Sequence, residues 1–222
     1  MSKVSIITAG EAAALVGDSM TVTTSGFVAS DMPEALSKAL EQRFLETGSP
    51  RDLTLFYAAA QGNRDGSGAD HFAHEGMTKR VIGGHWNMVP LLGRMVLENK
   101  IEGYNLPQGT LSQLFRDIAA HRVGTITHVG LNTFADPRIE GGKLNSITTE
   151  DLVEVVSILG EEKLLYKSFP IDIAFIRGTY SDENGNITME HEVASLESTS
   201  IAQAVRNSGG KVIVQVEKVV KN

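Results

Sequence analysis

The chain has 222 residues, 41% of them hydrophobic and 21% charged, with a net charge of −7 and no cysteine. Length and apolar content suit a globular chain of one large or two small domains with a sizeable core. The acidic balance and the scattered Lys and Arg exclude a nucleic-acid binder that works by phosphate neutralisation. The missing cysteines exclude disulfides, thiol nucleophiles and cysteine-ligated zinc.

The N-terminal "MSKVSIITAGEAAALVGDSM" is too broken by Gly, Glu and Asp for a signal sequence. No run reaches the roughly 18 apolar residues of a membrane span. Both point to a cytoplasmic protein with no membrane partner. "TVTTSGF" (21–27) reads as a strand, followed by a helix over 30–48 with Asp31 as N-cap, Pro33 in its first turn and Gly48 as its stop. Ala35, Leu36, Ala39, Leu40 and Phe44 make its apolar stripe. "LTLFYAAA" (53–60) is a strand and 61–70 a glycine-rich loop. A strand over 80–86 precedes a helix, "NMVPLLGRMVLENK", that Pro90 and Gly93 weaken. A strand over 101–106 leads to a helix that takes Thr110 as N-cap and stops at Gly124. A strand over 126–134 opens into the long loop "ADPRIEGGKLNSIT". Residues 163–180 hold two β-runs split at Pro170, and 181–186 form a hairpin-type turn. A helix over 196–210 and a strand over 211–220 follow.

Strand and helix in alternation predict an α/β fold with an open, mostly parallel sheet flanked by helices. Ligands in such sheets sit beyond the carboxyl ends of strands, which directs attention to loops 25–31, 61–70, 105–110 and 132–143. There is no internal repeat and no clear linker, so the chain reads as a single domain over 1–222.

No complete catalytic set is visible. Gly62, Gly66 and Gly68 match neither a phosphate-binding nor a dinucleotide fingerprint. His71 and His74, with Glu75, have the spacing of metal ligands on one helix face, but no third ligand recurs nearby, so a polar helix start is the simpler reading and no metal is expected. His85-Trp86 reads as a packed aromatic corner. No Ser or Thr stands in a nucleophile elbow. The turn "NLPQGTL" offers more. Gln108, held between Pro107 and Gly109 beyond a strand end, can donate an N–H to a substrate carbonyl. An ordinary loop glutamine is the competing reading.

"YNLPQGTLSQLFRDIAAH", "GNRDG", "AHEGMTKRVIGGHW", "NTFADPRIEGGKLN", "IAFIRGTYSDENGN" and "IAQAVRNSGGKVIVQVEKVV" together resemble the N-terminal, or α, half of family I CoA-transferases. Within them the likeness is to acetate/propionate CoA-transferases, relatives of succinyl-CoA:3-ketoacid CoA-transferase. It runs in order from about residue 4 to the end. "SGF" (25–27) stands near the family's Gly-Gly-Phe signature, with Ser25 in place of the first glycine.

The resemblance implies that α and β halves pack around a shared active site. A glutamate of the β half attacks the acyl-CoA thioester and carries CoA as a glutamyl thioester. Coenzyme A is then a substrate, with no permanently bound cofactor. Gln108 polarises the thioester, while Gly26, Phe27, Gln61, Asn63, Gly109, Thr133 and Phe134 bind substrate. "DENG" (182–185) superficially resembles the glutamate motif, but its surroundings match a turn of the α half, so Glu183 is not expected to be the nucleophile. The expected partners are acyl-CoA, a short-chain carboxylic acid, a β subunit or C-terminal half, and further copies in a homo-oligomer. Either an α subunit or a fragment of a longer chain fits, and the likeness to single-chain members favours the fragment. The chain alone is expected to be inactive. Two alternatives stay open: a non-enzymatic ligand-binding or regulatory module on the same fold, and a sugar-phosphate isomerase, for which no convincing base or phosphate loop is arranged.

Overall fold

The computed structural model describes residues 4–221. The first three residues of the N-terminal stretch read above, and residue 222, lie outside this range. Along the chain run α1 (Ala9–Ala14), β1 (Thr21–Thr24), α2 (Glu34–Thr47), β2 (Leu53–Tyr57), a 3-10 turn (Gly68–Phe72), β3 (Thr78–Gly83), α3 (Pro90–Leu97), β4 (Glu102–Asn105) and α4 (Gln108–Ala119). Then come β5 (Gly124–Thr127), β6 (Val153–Ile158), β7 (Glu161–Lys167), β8 (Ile173–Arg177), β9 (Tyr180–Asp182), α5 (Ser198–Asn207), β10 (Lys211–Gln215) and β11 (Lys218–Val220).

Six strands form one parallel sheet in the order β10-β8-β1-β2-β3-β4. Side chains alternate across it. Leu53, Leu55 and Tyr57 of β2 and Phe175 of β8 face a core shared with Leu40, Leu92 and Val96. Phe56, Ala174 and Ile176 face the opposite core, built with Leu114, Phe115, Ala204 and Val205. The result is a helix–sheet–helix sandwich, as the alternating pattern predicted. β5-β7-β6 form a separate antiparallel sheet, and β9 pairs with β11. Among the described residues no helix is long and apolar enough to cross a membrane.

Several expectations are corrected. The second helix starts at Glu34, after Pro33, and not near Asp31. Asp31 has φ +58, and its carboxylate accepts the N–H groups of Val193 and Ala194 at 2.8 and 3.2 Å instead of capping the helix. Pro90 begins α3 rather than weakening it, because a first-turn proline sacrifices no hydrogen bond. The cap comes from elsewhere: the buried Asp70 carboxylate accepts the N–H groups of Leu91 and Leu92, both at 3.1 Å. α4 starts at Gln108, not after Thr110. The strand expected over 126–134 is the four-residue β5, antiparallel and outside the main sheet. The strands expected over 53–60, 80–86 and 101–106 end at Tyr57, Gly83 and Asn105. The terminal strand splits into β10 and β11, which serve different sheets.

Two features went unread: α1, and the strand β6 with its turn into the expected β-run at 163. α1 carries a capping box, with Thr8 Oγ1 accepting the Glu11 N–H and Glu11 accepting the Thr8 N–H. The β6–β7 hairpin turns on Leu159 and Gly160, at φ +53 and +82, which is the sense of a tight two-residue connection.

Candidate active site

The strand order reverses at β1: the chain continues to β2 on one side, while β8 arrives on the other. Crevices open beyond the carboxyl ends of strands at such reversals. The chain leaves β1 through Ser25 into a reversal in which Phe27 and Ser30 exchange both N–H···O=C bonds at 3.0 Å. Three of its residues take positive φ: Gly26 at +117, Val28 at +53 and Asp31 at +58. A side chain at Gly26 has no room, since a Cβ there would lie 2.9 Å from Ser30 O and 3.1 Å from Gln61 Cγ. For β-branched Val28 the conformation is strained. The Phe27 side chain beside it is exposed.

This loop is stitched to the end of β2. Val28 N–H donates to Ala60 O at 3.2 Å, and Gly62 N–H donates to Val28 O at 2.8 Å. Gln61 lies beneath the stitching, buried, with its amide engaged by Thr24 and Ala59. Asn63, two residues on, is exposed, and its Oδ1 accepts the Ser67 hydroxyl at 3.0 Å.

β3 and β4 continue the same edge. Gly84 N–H donates to Ala58 O at 3.1 Å, and Leu106 N–H donates to Gly83 O at 3.0 Å. α4 begins at once. Gln108 and Gly109 are its first two residues, and both are exposed. The N–H groups of Thr110 and Leu111 return to Pro107 O, and among the described residues those of Gln108 and Gly109 meet no backbone acceptor. Gly84 packs directly on the Gln108 backbone.

The 128–143 segment is compact because it folds around the buried carboxylate of Asp136. That carboxylate accepts the N–H of Asn132 at 2.9 Å, the N–H of Arg138 at 3.0 Å, and the Arg138 guanidinium at 2.8 and 2.9 Å. The Arg138 hydrogen bonds hold the carboxyl well below the usual carboxylate range. The segment reaches the sheet edge through backbone bonds. Gly142 N–H donates to Phe134 O, and Asn105 N–H donates to Gly142 O, both at 2.8 Å. Phe134 is exposed, whereas the Thr133 hydroxyl turns back to Gly130 O at 2.8 Å. A shallow cavity of about 310 Å³, walled by Pro107, Gly109, Thr110, Gln113, Ile126 and Val129, flanks α4.

Gly26, Phe27, Asn63, Gln108 and Gly109 therefore share one edge, and Phe134 is tied to it by two hydrogen bonds. Phe27 and Gln108 follow strands β1 and β4, three strand spacings apart, so their backbones stand on the order of 14 Å from each other. Gln61 belongs to the same edge but faces inward.

The histidine pair lies elsewhere. His71 lies in the 3-10 turn that ends at Phe72 and His74 falls beyond it, so they share no helix face. His71 Nε2 meets Glu34 at 2.7 Å, its Nδ1 meets Glu41 at 2.6 Å, and His74 Nε2 meets Glu41 at 2.7 Å. A neutral imidazole has one N–H, so two carboxylate partners call for the imidazolium. Burial opposes that charge, but the hydrogen bonds and charges of Glu34 and Glu41 outweigh it and hold the His71 pKa above its ordinary value. Among the described residues no group of three or more ligating side chains is arranged around a metal position. Trp86 packs edge-on against Tyr57, with ring centroids 6.3 Å apart.

The family model described as "Coenzyme A transferase" matches residues 6–222. The chain belongs to the coenzyme A transferase family.

Within that family it is 46% identical over 95% of its length to caffeate CoA-transferase of Acetobacterium woodii, of which it covers 40%. It is 41% identical over 99% of its length to acetate CoA-transferase YdiF of Escherichia coli strain K12, of which it covers 41%. The structure of YdiF from Escherichia coli O157:H7, described as a thioester complex with CoA, superposes with a TM-score of 0.97 at 40% identity, covering 99% of this chain and 45% of that one. The Escherichia coli K12 "Acetate CoA-transferase subunit alpha" is 29% identical over 85% of the chain, which covers 76% of it. The chain thus spans about two fifths of the length of the first two relatives. In this coenzyme A transferase chain, Ser25 has a use of its own. Its hydroxyl accepts the Arg177 N–H at 3.0 Å and so ties the end of β1 to the end of β8. In the sequence Ser25 stands out only as a departure from the signature, and nothing marks Gly84.

Proposed function

We propose that this chain is the α part of a CoA-transferase that moves CoA between a short-chain acyl-CoA and a carboxylic acid, with the nucleophilic glutamate supplied by a β half. The observation that carries this reading is the exposed Gln108 side chain, carried on the first turn of α4 at the carboxyl edge of the sheet. The glutamate carboxylate attacks the thioester carbonyl, and the oxygen becomes an oxyanion that the Gln108 N–H stabilises. The CoA thiolate leaves, and an acyl-glutamyl anhydride remains. The thiolate then attacks the glutamyl carbonyl, releasing the donor acid and leaving glutamyl-CoA. The acceptor acid reverses these steps to take CoA away. Phe27 and Phe134 wall the acyl group, Asn63, Gly26 and Gly109 contact the substrate from the same edge, and Thr133 lies beside Phe134. Exposed Phe27, Ile126, Val129 and Phe134 give the β half an apolar face to cover.

The test is transfer of CoA from acetyl-CoA to propionate by the 222-residue chain, alone and mixed with a β half. We expect activity, and a covalent CoA adduct on the β-half glutamate, only in the mixture. Turnover by the chain alone with an adduct on Glu183 overturns the division of labour. No turnover and no CoA binding in the mixture overturns the function.

A further inference from the structure

We propose that Gln61 is a positioning residue for CoA transfer: its buried amide, without touching substrate, holds the strained 26–31 loop and the Asn63 turn in their working geometry. The inference rests on the CoA-transferase reading above and deepens it.

A glutamine amide has two N–H donors and one carbonyl acceptor. Here Nε2 faces three backbone carbonyls: Ala59 O at 2.9 Å, Thr24 O at 3.2 Å and Gly26 O at 3.5 Å. On the other side Oε1 accepts the Thr24 hydroxyl at 2.5 Å. The opposite orientation would set the amide oxygen against those three carbonyl oxygens, so this one is fixed by chemistry. Both donors are spent inside the protein. At 2% exposure the side chain has no face to offer a substrate.

The backbone of the same residue binds the other loop. Gln61 O accepts the Ala69 N–H at 2.8 Å, and a Cβ at Gly68 would fall 2.2 Å from that oxygen. Gln61 therefore joins four strands of backbone: the end of β1 at Thr24, the reversal at Gly26, the continuation of β2 at Ala59, and the 3-10 turn at Ala69. Exposed Asn63 and Phe27 each lie within two residues of one of these ties. Val28 at φ +53 pairs with Gln61 in an isolated parallel bridge. Strained conformations of this kind persist only where the surroundings over-determine them; the backbone bonds of Val28 to Ala60 and Gly62 do so, and the Gln61 amide holds the strand end that carries them. The residue type follows. A leucine or methionine fills the space but offers no donor, and a glutamate turns lone pairs on three carbonyls.

The test compares wild type, Gln61→Leu and Thr24→Val, each with the β half present. Thr24→Val removes only the hydroxyl that Oε1 accepts and keeps the strand's branched shape, so it stays folded if Gln61→Leu does not. Two quantities are read: hydrogen exchange of the amides in 25–31 and 61–69, and kcat and KM for acyl-CoA. We expect exchange in both segments to quicken by about tenfold or more. We expect kcat to fall by up to about 100-fold, the cost of slight misplacement at a reacting centre, with KM changed several-fold less. Exchange unchanged in both segments of both variants overturns the proposal. So does a rise in KM with kcat and exchange unaltered, which would mark Gln61 as a substrate contact. If wild type itself transfers no CoA, the functional reading fails, and the exchange arm still decides the positioning claim by itself.

Discussion

Gly84 leaves the space that the Gln108 backbone occupies. A Cβ built on Gly84 would sit 2.6 Å from Gln108 Cα, 2.8 Å from Gln108 Cβ and 2.6 Å from Ala58 O. Two of these neighbours are backbone positions, so the strain cannot be relieved by rotating a side chain. Gly84→Ala is therefore expected to push the first turn of α4 away from the ends of β2 and β3. Overpacking of this kind costs roughly 1–3 kcal/mol in stability, measurable by urea denaturation. In the active assembly the displacement of Gln108 should cost on the order of 100-fold in kcat. An unaltered kcat with lowered stability would separate the packing of Gly84 from catalysis.

Gln108 itself is exposed, so truncating it should leave the melting temperature nearly unchanged. Gln108→Ala should slow formation of the covalent glutamyl-CoA adduct by about 100- to 1000-fold, the usual cost of one oxyanion donor. The loss should fall on kcat rather than KM, because the hydrogen bond strengthens as charge develops on the oxygen. Gln108→Glu should be worse, since it sets a negative charge beside that oxygen. Single-turnover adduct formation by wild type and both variants is the check; equal rates would return Gln108 to the ordinary residues of a helix start.

Phe134 is 42% exposed, and the Asp136–Arg138 core holds its loop without help from its ring. Phe134→Ala should therefore fold normally and change the relative kcat/KM for acetate, propionate and butyrate, with the larger acids gaining. An unchanged order removes Phe134 from the acyl pocket.

The Glu34–His71–Glu41–His74 cluster should make stability depend on pH in both directions. The His71 pKa is raised on folding. Its contribution is thus fully present below the ordinary value of 6.5 and lost as pH rises through the raised one. Burial raises and the His74 and His71 hydrogen bonds lower the Glu41 pKa, with a net depression. That contribution is complete above the ordinary value of 4.5 and lost as pH falls through the depressed one. Urea midpoints measured from about pH 3 to about pH 9 should decline on both sides of this interval. His71→Leu should flatten the alkaline decline; a wild-type midpoint constant across the alkaline side would show that His71 is not a cation in the folded state.

Much of the fold was legible because β2 and β8 are buried on both faces and read as mostly apolar runs, "LTLFY" and "IAFIR". The strand-end rule points to loops 25–31, 61–70 and 105–110, which hold Phe27, Asn63, Gln108 and Gly109 on one edge, and also to 132–143, which follows a strand outside the main sheet. What escaped depended on contacts distant in sequence. Asp31 looks like a helix cap, yet its partners are Val193 and Ala194. Asp70, from the 3-10 turn before β3, caps α3. The β6–β7 hairpin hides because Leu159, not Asn or Asp, takes the first left-handed turn position. Gln61 sits in a glycine-rich loop and looks available to a ligand. Only Thr24, on the neighbouring strand, shows where its amide points.

β1 lies in the middle of the sheet although it is the first of the six strands to be synthesised. One of its two neighbours, β8, begins about 150 residues later, and Thr21 N–H waits for the Asp172 carboxylate, 151 positions away. During synthesis β1–β4 can pair among themselves, but one edge of β1 stays open until residue 177 has emerged. An open parallel edge rich in β-branched residues invites wrong partners, and closing so long a separation slows folding. A ribosome-bound chain ending between β7 and β8 should therefore need chaperone protection that one ending after β10 does not. The reversal that follows Ser25, a residue bonded to both Phe175 and Arg177, is then among the last parts of the molecule to take its final shape.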